Sequence, residues 1–353
     1  MAIKRIGLDV GDTVVRVAEV EFANKNAVAV GNGTLTAFAQ VALPRGSVQS
    51  GEVVDVGVVA SAIKKAMGDS GATTKEVTVG VGSESVIVRE LELPEIPMDQ
   101  MRTSLPFQVQ DMLPMSPSEA MLDFYPTGQR ESESSSVLRG IMVAAPKTTV
   151  SQNLLAVEGA GLRPIGVDLN GFALIRSQMT PELAAANVAF VDVGARLAHV
   201  VIVQGGQPRL VRTVSGGGQE VTDAIAAALH IDQQEAEEVK RRMGLGQAPN
   251  RELQPAQDAI SAGTRVLVEA IRNTFVYYSS NNPGEAIERV VITGGGAHLP
   301  GFGQYLASAT RLAVSYGNAF ARVSLSKKLA GETMRGQEAR VPVAVGLAFG
   351  EVS

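Results

Sequence analysis

Apolar residues recur with two different periods along this chain, and the switches between them outline its architecture. Residues 3–43 hold three apolar-rich runs, IKRIGLDV, TVVRVAEVEF and NAVAVGNGTLTAF, joined at Asn and Gly, which predicts consecutive strands. VVDVGVVASAIKKAMGDSGA (53–72) changes to helical spacing and stops at Gly68 and Gly71. EVTVGVGSESVIVREL (76–91) reads as strand again. From Leu93 the texture breaks: Pro94, Pro97, Pro106, Pro114 and Pro117 surround one helical stretch at 98–112, and ESESSS (131–136) predicts a polar hairpin tip. A strand, VLRGIMVAAP, and a helix, KTTVSQNLLAVEGAGL, follow. The whole of 78–165 is therefore expected to form a small α/β subdomain inserted into a first lobe.

At residue 187 the opening pattern returns. NVAFVDVGARLAHVVIVQGGQPRLVRTVSGGG predicts three strands joined by tight turns, and its VDVG matches the LDVG of the N-terminus about half a chain earlier. Such a repeat predicts two related lobes facing one another. Helical patterns cover QEVTDAIAAALHIDQQEAEEVKRRMG and DAISAGTRVLVEAIRNTFVYYSSNN, and RVVITGGGAHLPGFGQYLASAT reads as strand, glycine turn and helix. The expected division is a first lobe of 1–77 and 166–186, the insert 78–165, and a second lobe of 187–339. A C-terminal helix at 340–353 is expected to pack back on the first lobe.

Composition narrows the function. A chain of 353 residues exceeds the size at which a single core stops growing, so ligands are expected in a cleft between lobes. A net charge of −5 argues against a nucleic-acid footprint. Without cysteine, thiolate metal sites and disulfides are excluded. His199, His230 and His298 are too widely spaced for a metal-ligand pattern and read as structural. No signal peptide and no apolar run long enough to span a membrane is seen, which predicts a cytoplasmic protein without direct membrane insertion.

The chemistry concentrates in the turns. Each D-x-G hairpin, at Asp9–Gly11 and Asp192–Gly194, offers backbone N–H groups that cradle phosphate oxygens and one carboxylate suited to hydrated Mg²⁺. Gly294, Gly295 and Gly296 admit a close backbone approach. Taken singly, each is more often an ordinary turn; their order and half-chain separation favour the nucleotide reading. No GxxxxGK[ST] occurs, so the site is not a P-loop.

These motifs resemble those of the actin-like ATPases. TGGGAHLPGF and the inserted subdomain are similar to the FtsA and PilM branch, and the match to the PilM family of type IV pilus assembly proteins extends through LPFQVQDMLPMSPSEAMLDF, VDVGA, SGGGQEVTDAIA and AEEVKRRMG. The resemblance implies an α/β, actin-like two-lobe fold of duplicated ribonuclease-H-like domains, with ATP and Mg²⁺ in the interlobe cleft. It implies a first phosphate loop of Asp9, Gly11, Asp12, Thr13 and Arg16, and a second of Asp192, Gly194, Ala195 and Arg196. Gly216, Gly217 and Gly218 would lead to the nucleotide-side helix, Glu238 and Lys240 would touch ribose and base, and Gly294–Gly296 would close the nucleotide from the other side. Asp9 and Asp192 would serve the metal. The implied partner is the N-terminal cytoplasmic tail of a PilN-like inner-membrane protein, which would hold the chain at the membrane's inner face. Motor or platform proteins and a second copy of the chain are further implied partners. The groove for the tail is expected around Leu105, Phe107 and Met112, although Phe107 equally suits the insert's own core.

Two departures carry consequences. The family's first loop runs D-I-G-S-S-S-V-K, whereas here Asp12, Thr13 and Val14 replace the serines and Arg16 the lysine. A charge on Asp12 at 4 Å from a phosphate charge is worth about 1 kcal/mol in water and ~4 kcal/mol at an effective dielectric of 20. Where relatives often carry a water-orienting Glu, VDLNGFALIRS supplies Asn170; strand alternation is expected to turn Asp168, two residues earlier, to the same side as a substitute base, and a helix cap is the other reading of Asn170. An amide lacks a carboxylate's basicity, so at most slow ATP hydrolysis is expected. Three other readings stand: an FtsA-like division filament, a sugar kinase, and an actin-like fold that binds nothing.

Overall fold

Continuous Val-, Ile- and Ala-rich runs are buried on both faces when they pair, and they build two sheets of the same design. The computed structural model describes residues 2–30, 32–131, 136–246, 248, 250–330 and 334–350. The six-stranded sheet runs, in spatial order, Arg163–Leu169, Glu76–Val81, Ile3–Val10, Val14–Phe22, Gly33–Ala42 and Val323–Leu325. The five-stranded sheet runs Ala313–Tyr316, Arg289–Thr293, Val188–Val193, Leu197–Gln204 and Gln207–Ser215. Each contains an antiparallel three-strand meander with two strands parallel to its first strand, and the six-stranded sheet adds Val323–Leu325, parallel to the third. The register also repeats, since Asp9 lies opposite Arg16 and Asp192 opposite His199. The expectation of an actin-like, two-lobe α/β fold therefore holds.

Helices cover the sheets according to their apolar spacing. Val56–Ser70 turns Val59, Ala62, Ile63 and Ala66 inward at i, i+3, i+4 and i+7. Asp55 caps its start by accepting from the Val58 N–H at 3.0 Å, and Gly71 ends it at φ 69°. In the second lobe, Gly218–Leu229 and Gln254–Asn281 share one core with Val191, Val200 and Ile292. A third core spans both lobes, joining Leu174 and Leu347 to Phe190, Val201 and Val211 beneath the cleft.

The structure redraws several sequence boundaries. Residues 25–30 form a short helix and not a strand, because Asn24 Oδ1 accepts from the Ala27 N–H at 3.0 Å and starts a turn. The separate insert sheet consists of Ile87–Pro94, Ser136–Pro146 and Ala120–Glu131. Segment 78–81 and residues 147–165, assigned to the insert from the sequence, instead pair or pack with the first lobe. Strand Val323–Leu325, assigned to the second lobe, adds to the first-lobe sheet through Gly33–Leu35. The expected hairpin tip at 132–135 lies outside the described residues, as do 351–353 of the expected C-terminal helix. Leu105 is fully buried with Met101, Phe124 and Met142 in the insert core, so it lines no groove. Phe107 is 76% exposed and Met112 41% exposed, which removes the core reading of Phe107. Among the described residues no helix is long and apolar enough to cross a membrane.

The helix Pro342–Ala348 is wedged against Ile3–Val10 and Asn170–Gln178 with glycine at both contacts. A Cβ on Gly7 would lie 1.9 Å from the Ala344 carbonyl oxygen, and one on Gly346 would lie 1.8 Å from that of Ala173. Neither backbone has room to yield. Gly346→Ala is expected to lower the free energy of unfolding by about 3 kcal/mol, read by urea titration. Gly68→Ala, at an exposed helix position with no atom within 4 Å of the new methyl, should raise it by about 0.5–1 kcal/mol. Equal effects of the two substitutions would refute the close packing of this helix.

Candidate functional site

Both repeated hairpins end at the cleft, and their turns are set by local backbone bonds. The Gly11 N–H donates to the Val14 carbonyl at 3.0 Å, and the Gly194 N–H to that of Leu197 at 2.8 Å. Each turn leaves its aspartate as the penultimate strand residue, facing a cavity of about 890 Å³ between the lobes. The cross-strand partner of each aspartate also faces it. Arg16 Nη1 donates to Asp9 Oδ2 at 2.9 Å, and Asp192 Oδ1 accepts from Thr293 Oγ1 at 2.9 Å beside His199. Asp192 keeps a little contact with the cleft, although protein surrounds it on nearly every side. Burial pushes the Asp192 carboxyl up, the His199 charge opposes this, and the nearby Asp9 carboxylate adds to it. Burial pushes the His199 imidazole down, against the pull of Asp192. His199 Nδ1 shares a 3.2 Å hydrogen bond with Thr213 Oγ1.

Asp12 does not project its charge freely into the cleft. Its Oδ1 accepts from the Gly51 N–H at 3.3 Å, and burial raises its pKa against that bond and the charge of Arg196. Thr13 and Arg16 line the cavity.

The three glycine groups meet around the second turn. The Gly218 N–H donates to the Gly194 carbonyl at 3.0 Å, and the Gln219 N–H to that of Ala195 at 2.7 Å. A Cβ on Gly217 would lie 2.4 Å from the Ala195 oxygen, and one on Gly294, at φ 87°, would lie 2.3 Å from the Val193 oxygen. Gly295 is different: a Cβ there meets nothing within 4 Å. Gly194, Ala195, Gly217, Gly218 and Gly294–Gly296 all line the cavity.

Other predicted residues fall elsewhere. Glu238 is on the exposed face of Gln233–Met243, where Gln234 Nε2 donates to it at 3.5 Å. Glu237 takes the inward position because it is three residues before Lys240 on the same helical face. Lys240 Nζ is 2.6 Å from Glu237 Oε2 and donates to the Gly218 carbonyl and Thr222 Oγ1, both at 2.8 Å; burial lowers its pKa, and the Glu237 contact opposes this. Arg196 turns away from the cavity to Asp223 at 2.8 Å, and Arg45 of the first lobe reaches the same carboxylate at 2.6 Å. Gly216, at φ 119°, stands behind Gly217 and outside the lining. Asp168 is ion-paired with Arg176, accepts from the Leu169 N–H and stands outside the cavity lining, so strand alternation does not bring it to the cavity with Asn170. Asn170 does line the cavity. It opens the helix Asn170–Gln178 without capping it, and its Oδ1 is buried and unpartnered.

His199 and Glu237 are the residues that sequence reasoning missed. The repeat carried a signal for the first: His199 follows Asp192 at the spacing by which Arg16 follows Asp9. Among the described residues no cluster of three or more His, Cys, Asp or Glu has the arrangement of a protein-only metal cage.

Comparison with known proteins agrees with this fold. The sequence profile of the family described as type IV pilus assembly protein PilM matches residues 7–352. A solved PilM-PilN type IV pilus biogenesis complex contains a chain of similar structure, with TM-score 0.84, 25% identity and 98% of each chain covered. MreB5 of Spiroplasma citri bound to ADP shares the fold at TM-score 0.53 and 13% identity, covering 97% of this chain and 94% of that one. The cell division protein FtsA of Bacillus subtilis is 23% identical over 68% of this chain, which spans 58% of the length of that relative. Given a family match across nearly its whole length, the chain belongs to the type IV pilus assembly protein PilM family.

Proposed function

We propose that this protein binds ATP with Mg²⁺ in the interlobe cleft and docks the N-terminal cytoplasmic tail of a PilN-like inner-membrane protein. The observation that carries the nucleotide reading is the convergence of two D-x-G turns, two glycine turns and two aspartates on one cavity. The donor set suits the metal: Asp9 and Asp192 face the same space closely enough for one to raise the pKa of the other, a repulsion that a hydrated divalent cation relieves. Mg²⁺, when bound, neutralises phosphate charge. The protein's own part is to hold the phosphate oxygens at the backbone of residues 12–13, 195 and 295–296, beyond the turn N–H groups that Gly11, Gly194 and Gly294 commit to carbonyls, with Arg16 beside them and Glu237 and Lys240 toward the sugar. The fold shared with an ADP-bound MreB5 supports this reading, and the similarity to the PilM-PilN complex supports the partner. Through that partner the protein would sit at the inner face of the cytoplasmic membrane.

Asn170 makes turnover slow. Its side chain fits so closely over the strand end that a Cβ on Gly80 would be 2.1 Å from Oδ1. An amide there orients water but does not accept its proton.

ATP at 100 times its dissociation constant is expected to stabilise the protein by about 2.7 kcal/mol, and Asp192→Ala to abolish the gain in a thermal shift. An undiminished shift in the variant would remove Asp192 from the site. Asn170→Asp preserves shape and adds basicity, so single-turnover phosphate release should rise about 10²-fold with little change in ATP affinity; an unchanged rate would dismiss Asn170 as the water-facing group. Because Phe107 is so exposed, Phe107→Ala should leave circular dichroism intact yet weaken a labelled partner tail roughly 30-fold, about 2 kcal/mol. Unaltered tail affinity would place the groove elsewhere.

A further inference from the structure

A cation drawn out of bulk water is ordinarily answered by a carboxylate, because an unpaired charge is costly there. The lining of the interlobe cavity follows this rule with one exception. Arg16 is paired with Asp9 at 2.9 Å, Arg45 with Asp223 at 2.6 Å, Lys240 with Glu237 at 2.6 Å and Arg241 with Glu237 at 2.7 Å. Arg340 lines the same cavity and forms no ion pair among the described residues. Its Nε is buried without an acceptor.

The backbone around Arg340 is pinned on both sides, so the side chain is aimed by the fold. Its own N–H donates to the Gln337 carbonyl at 2.8 Å, and the Ala339 carbonyl accepts from the Gly294 N–H at 2.6 Å. The next residue, Val341, is fully buried and leads into the helix Pro342–Ala348. Arg340 therefore stands where the glycine turn of the second lobe meets the segment that returns to the first. The charges around it bring no relief. Arg241 and Arg16 both repel it, and the one attracting carboxylate, Glu237, is already shared by Lys240 and Arg241. His298 supplies no negative charge, and its pKa is pushed down by burial and by Arg340 itself. A guanidinium stays protonated throughout, so this side of the cavity holds a positive charge that the chain does not answer.

Resting on the nucleotide reading above, we propose that Arg340 binds the phosphate nearest the sugar, a cation supplied by the segment between the lobes and by none of the glycine or D-x-G turns. Arg16, at the phosphate turns, and Glu237, toward the sugar, both act on Arg340, which sets it between those two ends of the cavity. A planar guanidinium can donate to two oxygens of one phosphate at once, and the negative charge offsets the repulsion among the three arginines. A phosphate held there is gripped from both lobes, through the Gly294–Ala339 bond on one side and the Pro342–Ala348 helix on the other.

The test is displacement of a fluorescent ATP analogue from the full chain by adenosine, AMP, ADP and ATP, in wild type, Arg340→Met and Arg340→Lys. Arg340→Met keeps the apolar stem and removes the charge. It should weaken AMP, ADP and ATP by a similar factor, roughly 10-fold, and leave adenosine unchanged. Arg340→Lys, which keeps the charge and loses the two-pronged geometry, should fall between Arg340→Met and wild type. Unliganded Arg340→Met should melt no lower than wild type, because it deletes a charge without a partner. Unchanged AMP affinity, an equal loss for adenosine, or a lower melting point without ligand overturns the assignment and leaves nucleotide binding standing. A loss confined to ATP overturns it as well, since that result moves Arg340 to the far phosphate. If the wild-type chain binds none of the four ligands, the nucleotide reading fails and this inference fails with it.

Discussion

The contact on which the cleft depends is backbone against backbone. The turn at Gly194–Arg196 is clasped between the start of the helix Gly218–Leu229 and the end of the strand Arg289–Thr293, with separations that exclude even a methyl group at Gly217 and Gly294. Two of the helix's first N–H groups are satisfied by the carbonyls of that turn, so the helix needs no side-chain cap. One arrangement therefore fixes strand, turn and helix together. Asp192 inherits its position from this clasp, and so does the floor of the cavity.

Charge in the cleft is arranged so that most of it is already answered. Arg16 neutralises Asp9, Glu237 neutralises Lys240, and Asp223 holds both Arg196 and Arg45. Groups paired in low dielectric stay ordered before any ligand arrives, which favours a preorganised site. The Arg45–Asp223 pair also joins the lobes across the cleft mouth. With half-exposed partners it is worth little to stability by itself, and its effect is on geometry. What is left unanswered includes the largely enclosed Asp192 carboxyl and the orphaned Asn170 oxygen, and both residues line the cavity.

The duplicated design explains why corresponding positions carry different chemistry. In each lobe the aspartate ends the first strand and its cross-strand neighbour faces it, yet one neighbour is a permanent cation and the other a buried imidazole. The lobes offer the same frame with different electrostatics, Arg16 holding a full positive charge and His199 one that burial suppresses.

Periodicity and motif order sufficed for much of this protein. Continuous apolar strands, the repeated D-x-G turns and the glycine strand end determine the two-lobe fold and bring Asp9, Asp192, Gly217, Gly218 and Gly294 to one cleft, because strand ends and tight turns are local features. Helix phase was legible in principle too: three-residue spacing selects Glu237 over Glu238 as the companion of Lys240. Other decisions belonged to the tertiary structure. Arg196 and Asp168 leave the site because Asp223 and Arg176, distant or on another element, offer them an opposite charge that no local pattern reveals. Leu105 goes to the insert's core and Phe107 to its surface because the insert's sheet covers one face of their helix and leaves the other bare. That the Asn170 oxygen is left without a partner is silent in the sequence for the same reason: an unsatisfied polar atom exists only once the elements around it have closed.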